Sequence, residues 1–206
     1  MTIEHVVFDI GGVLIHWDPE IPFRRLILDD AERARFLAEV CSPAWNLEQD
    51  RGRSWSDAEA ELIALHPDKE DLIRSYRRHW REMVPYAFED TVAIMRDLIA
   101  KGIDVTMLTN WNDETFAEAE MIFDFLAEPR GVTVSGRIGM IKPDAEIFHR
   151  HAEDFDLDPA CTVFIDDNAH NVAGAIAAGW RAIRHENADQ LGRALRDLDL
   201  PVGASG

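Results

Sequence analysis

Basic runs, membrane-length apolar runs and paired cysteines are all missing from this 206-residue chain. Its 39 acidic residues outnumber 21 basic ones, for a net charge of -18, and no cluster of Lys or Arg breaks that excess. Nucleic acid and anionic membranes are therefore poor partners, since both demand concentrated positive charge. A phosphorylated substrate would also be repelled at long range, so a phosphate site must draw positive charge locally, from a metal and one or two basic side chains. The two cysteines, Cys41 and Cys161, lie in apolar surroundings without CxxC spacing and read as buried free thiols in a reducing compartment. The N-terminus enters its first strand by Glu4 or His5, without the charged lead, apolar core and cleavage site of a signal peptide. A cytoplasmic location is the expectation. No internal repeat or low-complexity tract is visible, and the length suits one core of ordinary size with chain left over for an insertion.

What the chain does have is one event repeated three times. VVFDIGGVL (residues 6–14) is a short apolar run that ends at Asp9 and passes at once into the Gly11-Gly12 bend. IDVTMLTN (103–110) ends in Thr109 and Asn110, and CTVFIDDN (161–168) ends in Asp166 and Asp167. Near-continuous apolar runs suit a parallel sheet covered on both faces. Ligands bind such sheets beyond the carboxyl ends of the strands, where all three polar clusters would gather. Between the last two runs lies GMIKPDAEIF (139–148), which sets Lys142 ahead of a helix that Pro143 would open.

From Trp17 to about Pro85 the pattern is helical and contributes no comparable strand. Residues 30–40 carry an acidic start and apolar Phe36, Leu37 and Val40. Ser56 with Glu59 resembles a capping box, and Leu72, Tyr76, Trp80 and Met83 recur at helical spacing. After this insertion, strand and helix alternate: helix 89–100 stopping at Gly102, strand 103–109, helix 113–121, strand 132–134, helix 143–154, strand 161–166, helix 169–178, strand 181–184 and a helix from Ala188. Such alternation predicts an α/β fold, a doubly wound parallel sheet with right-handed crossovers, carrying an inserted α-helical cap subdomain. The expected division is a core of residues 1–16 and 86–206 with a cap of residues 17–85. Apolar cap residues could also support a homodimer.

Asp9 in FDIGG, Thr109 in LTN, Lys142 in GMIKPD and Asp166-Asp167 in FIDDN together resemble the four ordered motifs of the haloacid dehalogenase superfamily, in the branch that includes small sugar-phosphate phosphatases. The resemblance spans residues 6 to about 179. It implies that Asp9 attacks phosphorus to give an aspartyl-phosphate, which water then hydrolyses. It further implies Mg²⁺ held by Asp9, the Gly11 carbonyl and Asp167, with Asp166 and Asn168 as supports. Lys142 would offset charge on Asp9 and on the phosphoryl group, and Thr109, the Asn110 amide and Gly12 would contact the phosphoryl oxygens.

Most phosphatases of this superfamily carry a second Asp where this chain has Gly11. Its absence removes a general acid and base worth about 10² to 10⁴ in rate. Asp18, His16 or a cap residue would then have to supply the proton. The same resemblance admits a 2-haloacid dehalogenase, in which the Asp attacks carbon without metal, although that pattern usually lacks the acidic pair and has an aromatic residue at position 11. It also admits a phospholigand-binding protein with weak turnover. Asn168 and Asn171 suit either the acidic loop or the cap of the following helix. His149 and His151, two apart on a helix, face different sides, and His170 is expected at the surface. Trp17, Trp45 and Trp111 are either core residues or a pocket lining.

Overall fold

The first apolar run becomes the middle strand of a five-stranded parallel sheet in the computed structural model, which describes residues 2–203. The strands are β1 (His5–Phe8), β2 (Asp104–Thr109), β3 (Val132–Val134), β4 (Thr162–Asp166) and β5 (Arg181–Arg184), in the order β3-β2-β1-β4-β5. Every pairing is parallel. Phe8 lies level with Met107 on one side and Ile165 on the other. The chain therefore leaves β1, β2 and β4 at nearly the same height, and the strand order reverses between β1 and β4, where a ligand crevice is expected.

Between β1 and β2 run seven helices: α1 (Glu20–Leu26), α2 (Asp30–Glu39), α3 (Pro43–Asp50), α4 (Trp55–Leu65), α5 (Glu70–Arg78), α6 (Trp80–Met83) and α7 (Glu89–Ala100). Helix α8 (Asp113–Glu120) connects β2 to β3, and α9 (Ser135–Ile138) with α10 (Ala145–Phe155) connects β3 to β4. Helix α11 (Ala169–Ala177) precedes β5, and α12 (Ala188–Asp197) follows it.

The side-chain alternation of a strand divides the apolar residues between two faces. Val6 and Phe8 join Val92, Met95 and Leu98 of α7, Phe116 of α8, and Leu191 and Leu195 of α12. Val7 points the other way, to Ile147 and Phe148 of α10, Phe164 of β4 and Trp180. Helices α1 to α6 keep an apolar cluster of their own, with Phe23, Phe36, Trp55, Ile73, Tyr76 and Met83 buried together. The chain leaves for these helices and returns at one place, where His16 N–H donates to Tyr86 and Phe88 N–H to Leu14. No described helix is long and apolar enough to cross a membrane.

Local differences from the sequence expectation have local causes. Helix α4 is capped by Ser54, which accepts from the Asp57 amide, so Ser56 and Glu59 lie inside it and form no capping box. The earlier start brings Trp55 to the first turn, where it is buried and reaches Asn112. The expected continuous helix through Leu72 and Met83 breaks at His79, and the break lets Tyr76 join the helical cluster while Trp80 joins the sheet core. Helix α10 begins at Ala145 rather than Pro143, because the backbone of Lys142 is held elsewhere.

Candidate active site

Strand register gathers the first elements of the site. Asp9 follows β1 directly, its amide donating to Ile165 of β4 at 2.8 Å, while Asp166 closes β4 itself. Lys142 arrives from the segment before α10, where the Asn110 side chain grips its backbone from both sides: Asn110 Nδ2 donates to the Lys142 carbonyl (3.0 Å) and the Lys142 amide to Asn110 Oδ1 (2.8 Å). The buried Lys142 Nζ then lies 2.7 Å from Asp9 Oδ1, 2.8 Å from Asp166 Oδ2 and 3.1 Å from the Leu108 carbonyl. An ammonium has three protons, and here each has an acceptor within the protein.

Asp166 is saturated in the same way. Beyond Lys142 it accepts from the Asn168 amide (2.8 Å) and from Asn171 Nδ2 (3.1 and 3.0 Å to its two oxygens). The Asn168 side chain meanwhile caps α11 by accepting from His170 N–H. Asn168 thus holds the acidic loop with its backbone and the helix with its side chain, and Asn171 holds the loop. Asp167 is exposed to the cavity, with its carboxylate against Gly12. Gly12 has φ +77°, and a Cβ there would come within 2.6 Å of an Asp167 oxygen. Only glycine satisfies both demands.

Carboxylate oxygens of Asp9, Asp166 and Asp167 lie within 4.8 Å of one another. Three acids against one lysine leave the cluster short of positive charge. Burial pushes Asp9 well above the usual carboxylate range, Lys142 pulling it back and Asp166 adding to the rise. Asp167 is likewise raised, by burial and then by Asp166. Lys142 opposes its own desolvation with the two carboxylates and is held above the usual lysine range. An all-oxygen donor set with surplus negative charge fits a hard divalent cation.

A cavity of about 360 Å³ opens over this cluster, bordered by Asp9, Gly11, Gly12, Thr109, Asn110, Asp167, Asn168 and Asn171 on the sheet side. Facing it are Pro43, Asn46, Leu47 and Asp50 of α3, and Trp17, Trp55, Trp80 and Trp111 also line the cavity. The two walls are stitched together. Ser135 Oγ donates to the Asp50 carbonyl (2.6 Å), Asn112 Nδ2 to the Gln49 and Arg53 carbonyls (3.1 and 3.3 Å), and Trp55 Nε1 to Asn112 Oδ1 (3.0 Å).

Of the residues singled out from sequence, Asp9, Gly11, Gly12, Thr109, Asn110, Lys142 and the Asp166–Asn168 loop converge on one place. Gly12 and Asn110 border the cavity, but the Gly12 amide is given to the Ile15 carbonyl and the Asn110 side chain to Lys142. Asp18 and His16 stand apart from the cavity. Asp18 accepts from the Glu20 amide and from Arg24 at the start of α1, and His16 stacks on Tyr86. Trp17 and Trp111 line the cavity, whereas Trp45 belongs to the helical cluster. His170 and His149 are exposed, and His151 is buried between Thr106 and Thr133. Asp50, Asn46, Leu47, Trp55, Asn112 and Ser135 carried no sequence signal for the site, and Trp80 only that of a helical repeat. Asn112, two residues beyond Asn110, was the nearest to one.

Comparison with known proteins places the chain among related hydrolases. A sesquiterpene phosphatase of Aspergillus oryzae is 28% identical over 183 residues, covering 86% of this chain and 87% of that protein. The fold is shared with a HAD family enzyme of Bacteroides thetaiotaomicron solved with magnesium and inorganic phosphate (23% identity, 90% of this chain and 95% of that one, TM-score 0.63). It is shared also with an L-2-haloacid dehalogenase of Xanthobacter autotrophicus solved with chloropropionic acid covalently bound (17% identity, 97% and 84%, TM-score 0.64). The haloacid dehalogenase-like hydrolase family matches residues 3–179, most of the chain, and this protein belongs to that family.

Proposed function

We propose that this hydrolase releases phosphate from small phosphate monoesters, with Asp9 as nucleophile and Mg²⁺ as cofactor. The observation that carries the reading is the charge imbalance at the strand ends, three clustered carboxylates sharing one lysine whose protons are all taken. A nucleophile that displaces halide from carbon has no use for such an imbalance, whereas a phosphoryl group brought beside three acids requires a cation. Asp9, the Gly11 carbonyl and Asp167 would hold Mg²⁺, and Asp167 suits this because the donors that saturate Asp166 leave it free. When bound, the ion supplies charge neutralisation for attack on an anionic phosphate.

Within this reading Asp9 attacks phosphorus and carries the phosphoryl group until water displaces it. Lys142 keeps Asp9 oriented and offsets its charge, and Asn110 keeps Lys142 in place. Thr109, buried beside Asp9 and bordering the cavity, would donate to a phosphoryl oxygen. Residues 17–85 would act as the cap that selects the alcohol. The cavity admits a compact molecule, and its indoles suit an apolar or ring face, such as that of a sugar. Cytoplasmic placement accords with the free thiols of Cys41 and Cys161.

The test is phosphate release from a panel of small esters, with Mg²⁺ or with chelator, comparing the native protein with Asp9→Asn. Release that needs metal and falls about 10⁴-fold or more in the variant is expected. Dehalogenation of 2-chloropropionate surviving chelator would replace this reading with carbon-halogen cleavage. Tight phosphate-analogue binding without turnover would replace it with a binding role.

A further inference from the structure

Departure of an alkoxide from phosphorus needs a proton, and hydrolysis of the acyl-phosphate needs a base. Neither is supplied at the strand ends. Asp9 is the nucleophile in the reading above, Asp166 is saturated by Lys142, Asn168 and Asn171, and Gly11 has no side chain to offer. Asp167 also borders the cavity but is given to the metal in that reading, which leaves Asp50, on the opposite wall at the C-terminal end of α3, as the one further acid among the described residues that line it. We infer that Asp50 is the proton donor to the leaving oxygen and, once ionised, the base that activates the hydrolytic water.

The placement of Asp50 is built. Its carbonyl accepts from Ser135 Oγ at 2.6 Å, and the flanking carbonyls of Gln49 and Arg53 accept from Asn112, so the end of α3 is tied to the sheet domain at three neighbouring points. Its carboxylate accepts from Asn46 Nδ2 at 3.2 Å, one turn earlier on the same helix. Among the described residues no cation forms a salt bridge with it. Arg51 turns to Glu48 and Asp144, and Arg53 to Gln49, Glu61 and the Trp45 carbonyl. Lys142, spent on Asp9 and Asp166, acts on Asp50 only through space, and Tyr76 of α5 is the other titratable group coupled to it. Burial pushes the Asp50 carboxyl up to about 7, a hydrogen bond from the Asn112 backbone N–H and then Lys142 pulling the other way. A group titrating there can both give and take a proton near neutrality.

The steps balance. As Asp9 forms its bond to phosphorus, the phosphorus–oxygen bond to the alcohol breaks, and the Asp50 proton passes to that oxygen to give the neutral alcohol. Water then adds to phosphorus while the Asp50 carboxylate takes its proton. The bond to Asp9 breaks, inorganic phosphate leaves, and both aspartates return to their starting states.

The inference rests on the phosphatase reading, and one set of assays separates their failures. kcat/KM, which covers loss of the alcohol but not the later hydrolysis, is measured with Mg²⁺ on p-nitrophenyl phosphate, a good leaving group, and on an alkyl phosphate, a poor one. The proteins are the native chain, Asp9→Asn, Asp50→Asn, and Asp50→Asn combined with Gly11→Asp. Asp50→Asn is expected to lose about 10²- to 10⁴-fold on the alkyl ester and far less on the nitrophenyl ester. The native alkyl-ester profile should fall above about pH 7, where Asp50 gives up its proton, and the variant should lack that fall. Nothing lies within 4 Å of a Cβ at Gly11, so the added acid has room and should restore alkyl-ester activity. Equal losses on both esters with an unchanged pH profile would overturn the role of Asp50. Absence of any Asp9-dependent release by the native protein would overturn the phosphatase reading itself.

Discussion

On the sheet wall of the cavity, Lys142 lies within 2.8 Å of both Asp9 and Asp166, and the Leu108 carbonyl of β2, the Ile165 carbonyl of β4 and the Asn168 amide close the network. On the helical wall, the buried Asp50 carboxylate has one side-chain donor, Asn46, and one backbone donor, Asn112. The sheet wall pays for fixed charge with many hydrogen bonds, while the helical wall raises the affinity of its acid for a proton by burial. Fixed charge suits a nucleophile and a metal. A carboxyl poised between two protonation states suits proton transfer.

The comparison breaks hardest at Lys142. Lys142→Met leaves Asp9 and Asp166 buried without their counter-charge, and unfolding free energy at pH 7 should fall by about 3–5 kcal/mol. Removing the ammonium that draws Asp9 down raises the folded-state pKa of that acid further, so the deficit should shrink as pH is lowered and Asp9 becomes neutral. Denaturant titrations at pH 5 and pH 7.5 measure this, and a deficit independent of pH would show that the sheet wall is held by packing instead.

Asn112→Ala cuts the seam between the walls. It orphans the buried Trp55 Nε1, frees the Gln49 and Arg53 carbonyls and uncaps α8, whose Glu114 and Thr115 amides it accepts. A loss of about 2–3 kcal/mol is expected, together with a higher KM as the end of α3 loosens. Unchanged KM at reduced stability would mean that Ser135 alone holds Asp50.

The smallest effect lies in adjacent glycines. Gly12→Ala meets a positive φ and the Asp167 carboxylate, and should cost about 1–2 kcal/mol while weakening Mg²⁺ binding in a metal titration of activity. Gly11→Ala enters open space and should stay within about 0.5 kcal/mol of the native protein. Equal penalties would mean that the loop as a whole, rather than contact with Asp167, makes the demand.

Most of the sheet wall was legible because strands carry polar residues to a common edge, so that Asp9, Thr109 and Asp166 announce themselves where apolar runs stop. Helix α7 and strands β3 and β5 occupy the expected residues for the same reason, since short periodic runs bounded by glycine or caps leave little choice. Less legible was where a side chain has a second use: Asn110 borders the cavity while its side chain holds the Lys142 backbone, and Asp18 accepts from the Glu20 amide at the start of α1 and does not border the cavity. Ser54, rather than Ser56, caps α4 because burying Trp55 outweighs a choice between two similar local caps.

The sequence by itself determined the alternation of strands and helices, the parallel sheet and the four polar positions at its carboxyl edge, because hydrophobic periodicity and strand ends are local properties of the chain. Only tertiary structure decided which side chains of the helical segment face that edge. Asp50 and Trp80 reach the cavity on helices with no common spacing, and the hydrogen bonds of Ser135 and Asn112 that set the end of α3 span 59 to 85 residues of sequence. Contacts closed over such distances leave no periodic trace in the chain, and the burial that shifts Asp50 exists only once both walls are in place.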